Sequence, residues 1–204
     1  MKLRTMFVLC FLLANCSPGY TFTAVNHPRA EVATVVVPVY VDGSFSGADK
    51  ANIVSAITIL NDSLNGYQHL DVVSTSFDMK TDDIVAGLDG IIIMQVWSGG
   101  DHPCSFIPVS DIPGATVLAW SDKLAGHMIW VLRDRIRDDQ IKSIVLHELI
   151  HCDLGVGHIY EHVSIMNPKV NDGIECVDED AMQSAAAKNG WDINHLNYCI
   201  IQSN

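Results

Sequence analysis

His147-Glu148-Leu149-Ile150-His151-Cys152-Asp153-Leu154-Gly155-Val156-Gly157-His158 gathers three imidazoles and a carboxylate into one short stretch. Residues four apart on an α-helix lie on one face, about a turn apart. A helix through this stretch therefore aims His147 and His151 at a common point. Glu148, beside the first of them, cannot share that direction, and reads as the general base acting on water rather than as a ligand. Gly155 and Gly157 read as a tight reversal out of the helix, returning His158 as a third ligand. Three nitrogen donors with a fourth position left for water describe a catalytic rather than a structural zinc site. One catalytic Zn2+ is the expected cofactor.

Working outward, the helix reads from about Asp138 to Leu154, with Ile144, His147 and His151 on one face and Val145, Leu149 and Cys152 on an adjacent apolar stripe. Downstream comes Ser164-Ile165-Met166-Asn167-Pro168, which puts Met166 eight residues past His158.

Together the two motifs resemble the metzincin metalloproteases, and among them the matrixins, the catalytic domains of matrix metalloproteinases. Their signature is HExxHxxGxxH followed by a turn with a methionine beneath the zinc. Leu154-Gly155-Val156-Gly157-His158 is similar to the matrixin Leu-Gly-Leu-Gly-His, and Ser164 to Pro168 is similar to the matrixin turn. The resemblance implies an α+β, zincin-like fold. Its sheet would be twisted, mostly parallel and five-stranded, with an antiparallel edge strand. An active-site helix, a second backing helix and a C-terminal helix after the methionine turn would complete it. The resemblance also implies zinc endopeptidase activity on a peptide or protein substrate, with Met166 as the floor of the site. Ala115, Thr116, Val117 and Leu118 would belong to a sheet edge on which an extended peptide adds as an antiparallel strand. Asn167 and Pro168 would begin the wall of the pocket for the residue after the scissile bond.

The sequence departs from the family at one point that matters. Three residues separate His151 from Gly155 where the family has two. A helix that simply continued would rotate all that follows by about 100°. The extra residue must be absorbed locally, as a bulge near Cys152-Asp153 or as a longer loop before Gly155. Ile159 also stands where metzincin subfamilies usually carry polar residues, and no tyrosine follows two residues after Met166. The resemblance runs from Val32 to Trp191 but is specific only between His147 and Pro168. Two rival readings stay open. One is a gluzincin-type peptidase with Glu175 or Glu179 as third ligand; the other is a zinc-stabilised module that binds peptides or a partner protein without cutting.

The chain opens with Met1-Lys2-Leu3-Arg4 and an apolar run from about Met6 to Ala14, which reads as a secretory signal over residues 1–16. Leu13-Ala14-Asn15-Cys16 resembles a bacterial lipobox, so both lipidation of Cys16 and ordinary signal cleavage are open. Residues 17–30 read as a tether and 31–204 as one metalloprotease domain, long enough for a substantial core. The expected location is secreted or extracytoplasmic, with membrane attachment only through an N-terminal lipid. Cys104, Cys152, Cys176 and Cys199 remain after the leader, and an even count in an exported chain suggests two disulfides in any of three pairings. A net charge of −12 repels nucleic acid and anionic headgroups. A monomer is expected.

The remaining elements follow from periodicity. Val32 to Val41 is rich in β-branched residues and reads as a strand whose pairing Pro38 limits. Ser46 caps a helix in which Ile53, Ala56, Ile57, Leu60 and Leu64 recur at helical spacing and which Gly66 closes. Strands are expected at Leu70 to Phe77, Ile91 to Trp97, Gly114 to Ser121 and His127 to Leu132, and a last helix at Asp178 to Lys188. His27, His69, His127, His162 and His195 lack ligand spacing, and Asp101-His102 reads as a loop.

Overall fold

Val39 and Val41 are fully buried on a strand with parallel partners on both sides, and the rest of the sheet is built around it. The computed structural model describes residues 20–78, 89–97, 117–121, 127–168 and 173–203. Its strands are β1 (Tyr20–Val25), β2 (Val35–Asp42), β3 (Gln68–Phe77), β4 (Ile91–Val96), β5 (Val117–Ser121), β6 (His127–Leu132) and β7 (Tyr198–Ser203). Its helices are α1 (Gly47–Leu64), α2 (Ile141–Leu154) and α3 (Glu179–Asn189). The class is α+β. In the main sheet, ordered β3-β2-β4-β6-β5, the first four strands are parallel and β5 is antiparallel to β6. β1 and β7 form a separate antiparallel ribbon.

The apolar run of β4 reflects burial on both faces. Ile91 and Ile93, with Ile129 and Val131 of β6, join the large core under α1 and α2. Ile92, Met94, Val96, Trp130 and Leu132 form a second cluster on the opposite face. That alternation is what the period of two demands of a strand covered on both sides. Pro38 is accommodated because pairing of β2 with β4 starts only at Val39–Ile91. Gly90, at φ 130°, turns in beside it, where a Cβ would come within 2.2 Å of the Pro38 carbonyl oxygen.

Helix α1 is capped as its sequence indicates. Ser46 Oγ accepts from the Asp49 N–H at 3.1 Å. Its close comes one residue earlier than expected: Asn65 takes the left-handed conformation, and its amide donates to the carbonyls of His27, Pro28 and His195. Helix α2 begins at Ile141 rather than Asp138, because residues 138–140 form a turn and Gln140 caps without a side-chain bond.

Two expectations need correction. The stretch read as a tether contains β1, whose pairing partner lies at the far end of the chain, Tyr20 opposite Ser203. Tyr20, Phe22 and Ala24 alternate with Thr21 and Thr23, a strand signal that the tether reading passed over. The second expected disulfide is not formed among the described residues, where Cys152 on α2 is a buried free thiol. Cys176 and Cys199 are bonded to each other, and Cys104 lies outside the described residues. No described helix is long and apolar enough to cross a membrane.

Candidate metal centre

Helix α2 is buried on almost every side: Val145, Leu146, Leu149 and Ile150 are inaccessible and fix its rotation in the core. That rotation leaves His147 and His151 half-buried on the remaining face. The two rings meet edge to face at 4.5 Å between centroids, and the exposed His158 ring lies 5.4 Å from the first and 4.6 Å from the second. One ligand nitrogen from each of the three lies within 4.8 Å of the others, so the group could hold a metal ion. Ion–nitrogen bonds of about 2.0–2.1 Å in a tetrahedron need roughly 3.4 Å between nitrogens, a modest inward adjustment.

The close of α2 shows how His158 arrives. The helix continues through Leu154, and Gly155 adopts the left-handed conformation at φ 65°. The Gly155 N–H bonds to the carbonyls of both His151 and Ile150, and the Val156 N–H also reaches Ile150. The extra residue thus sits in a widened final helical turn, not in a separate loop before Gly155. From α3, Lys188 Nζ donates to the Gly155 carbonyl at 2.5 Å and Asn189 Nδ2 to that of Leu154 at 3.3 Å. Gly157 needs no special conformation and a Cβ there meets nothing within 4 Å, which corrects its reading as part of the reversal. Gly155→Ala should cost about 1–2 kcal/mol in urea unfolding, while Gly157→Ala should stay within about 0.5 kcal/mol.

Two of the rings are oriented by backbone oxygens. His147 Nδ1–H donates to the Ile165 carbonyl at 2.6 Å and His151 Nδ1–H to that of Val156 at 2.5 Å. A carbonyl only accepts, so both Nδ1 atoms carry the proton and both Nε2 lone pairs stay available. The residues fit a borderline ion that takes imidazole nitrogen, zinc among them. Glu148 is 7% exposed, with its Oε1 3.8 Å from His147 Nε2, beside the point where the rings converge.

Burial pushes the His147 pKa down to about 4, helped by the neighbouring His151 and His158, and also lowers that of His151. Below the unfolded value of 6.5, the unfolded chain takes up a proton that folded His147 refuses. Stability from this group is therefore lost as pH falls from about 6.5 toward 4. Between pH 8 and 5, the metal-free protein should lose about 2 kcal/mol relative to its metal-free His147→Ala variant. Parallel stability–pH curves from urea titrations would contradict this. Asp153, bonded to Gln68 and pushed up to about 6 by burial, works in the opposite sense, but both chains retain it.

Met166 is fully buried in the turn from Ser164 to Asn167. Its carbonyl accepts from the Ile159 N–H at 3.0 Å, fastening the segment just past His158. Of the expected substrate-contacting residues, Val117 and Leu118 lie on β5, which occupies one end of the sheet and runs beside α2. Ala115 and Thr116, like Cys16, lie outside the described residues. Asn167 is half-buried and Pro168 exposed. Glu175 and Glu179 are engaged elsewhere, with Lys142 Nζ and with the Gln183 amide. His162 pairs with Asp180, His27 with the Leu196 carbonyl and His195 with that of Pro28.

The sequence reading placed Ser164 in the methionine turn and Asp178 and Lys188 in the last helix, but gave none of them, nor Asn189, a contact that supports the candidate centre. Asp178 carried a usable signal, an acidic residue just before a helical pattern. Its carboxylate accepts from the Ala181 N–H at the start of α3. A comparison of the sequence with protein-family models finds no match, and a comparison with curated proteins finds none either.

Proposed function

We propose that this chain is an exported zinc-dependent endopeptidase of the metzincin type. The observation that carries the reading is the convergence of His147, His151 and His158 with the Glu148 carboxylate beside them. The widened last turn of α2 lets His158 join despite one residue more than the family pattern. The succession of sheet, α2, methionine turn and α3 supports the same reading.

The three imidazoles would hold the ion through Nε2. Bound zinc lowers the pKa of water to about 7 and polarises a carbonyl. Glu148 Oε1 takes the proton of the attacking water and delivers it to the leaving amide nitrogen. The Ile165 and Val156 carbonyls keep two imidazoles in the tautomer this requires. β5, last in the sheet among the described residues, would take an extended peptide along its outer edge, and Asn167 and Pro168 would wall the pocket beyond the cut.

The test is incubation of the purified protein with an unfolded protein, with and without a chelator, followed by zinc restoration. Cleavage that the chelator abolishes and zinc restores is expected. Zinc binding without any cleavage would instead identify the module that binds peptides without cutting.

A further inference from the structure

His147 is connected to more than a single carbonyl. The Ile165–Met166 peptide group accepts from His147 Nδ1–H through its oxygen at 2.6 Å. Through its own N–H it donates to Ser164 Oγ at 3.0 Å. Ser164 in turn donates its hydroxyl to Asp178 Oδ2 at 2.8 Å, and the same oxygen accepts from the Ile165 N–H at 2.8 Å. Ser164 and Met166 are fully buried and Asp178 is 3% exposed, so bulk water does not compete along this path.

We propose that Asp178 and Ser164 are positioning residues for the metal: a carboxylate–hydroxyl–peptide relay that holds the His147 ring and strengthens its Nε2 as a donor. Hydrogen bonds in series polarise one another, each making the next acceptor stronger. A ring whose Nδ1–H faces an anion, directly or through a relay, is a better metal ligand at its other nitrogen. Here the negative charge of Asp178 raises the acceptor strength of Ser164 Oγ, then of the Ile165 carbonyl. His151 provides the internal comparison, because its Nδ1–H ends on the Val156 carbonyl, outside this path.

The inference rests on His147 being a metal ligand, and the experiment separates the two claims. Zinc affinity is measured by chelator competition for the full chain and for His147→Ala, Ser164→Ala, Ser164→Thr and Asp178→Asn. In the metal-free proteins, the imidazole N–H resonances of His147 and His151 are followed by NMR. Ser164→Ala and Asp178→Asn should weaken zinc binding about tenfold. Both should shift the His147 Nδ1–H signal upfield and leave that of His151 in place, and Ser164→Thr, which keeps the hydroxyl, should restore both properties. If Ser164→Ala leaves zinc affinity unchanged, or moves both imidazole signals alike, the relay is refuted while the ligand assignment stands. If His147→Ala binds zinc as tightly as the parent, the ligand assignment falls and the relay falls with it.

Discussion

Glu148→Ala is expected to keep its zinc and lose peptide hydrolysis by a factor on the order of 10³. The carboxylate is not one of the three converging donors, so its removal leaves the ligand set complete. It lies 3.8 Å from His147 Nε2 and is almost wholly buried, beside the point where the three rings converge, where it would act as the base toward a water held there. Alanine leaves no group there to accept the proton. The check is zinc content beside the cleavage rate of an unfolded protein, with Glu148→Gln as a partner of similar volume. Full activity in either variant would refute the assignment of the base.

His158→Ala has the next largest expected effect. Sharing the binding free energy of a four-coordinate zinc evenly among its ligands assigns each about 2.5–4 kcal/mol, so affinity should fall by roughly 10²- to 10³-fold. The experiment bears directly on the residue in excess of the family pattern, since only the reversal at Gly155 returns His158 to the other two. A silent His158→Ala would favour a glutamate as third ligand. Glu175 would then have to leave Lys142, or Glu179 the Gln183 amide. Chelator competition distinguishes these outcomes without an activity assay.

The centre was legible in the sequence where its determinants are local. A helix of 3.6 residues per turn already aligns His147 with His151, and a glycine after the last helical residue already marks a left-handed close. The strands β4 and β6 were legible too, because burial leaves apolar runs such as Ile91 to Met94, and β2 showed itself by its β-branched residues Val35 to Val37. Features that depend on distant partners were not. The ribbon pairs Val25 with Tyr198, and the alternation of Tyr20, Phe22 and Ala24 with Thr21 and Thr23 signals a strand without naming that partner. Four cysteines do not choose their partners by spacing, and the bond between Cys176 and Cys199 follows from the fold that brings β7 beside Val177. The accommodation of the extra residue was open between two forms, because bond sharing at a helix end depends on what caps it, here Lys188 and Asn189 from α3.

The antiparallel register of the ribbon has a mechanical consequence. Tyr20 faces Ser203, so chain leaving β1 at its start and chain leaving β7 at its finish emerge at the same end. Tension between those two exits would peel the ribbon open pair by pair rather than shear it. Peeling would run inward to the Ala24–Cys199 pair, where the covalent link to Cys176 holds β7 in place but does not tie down β1. Under such tension β7 stays anchored while β1 detaches.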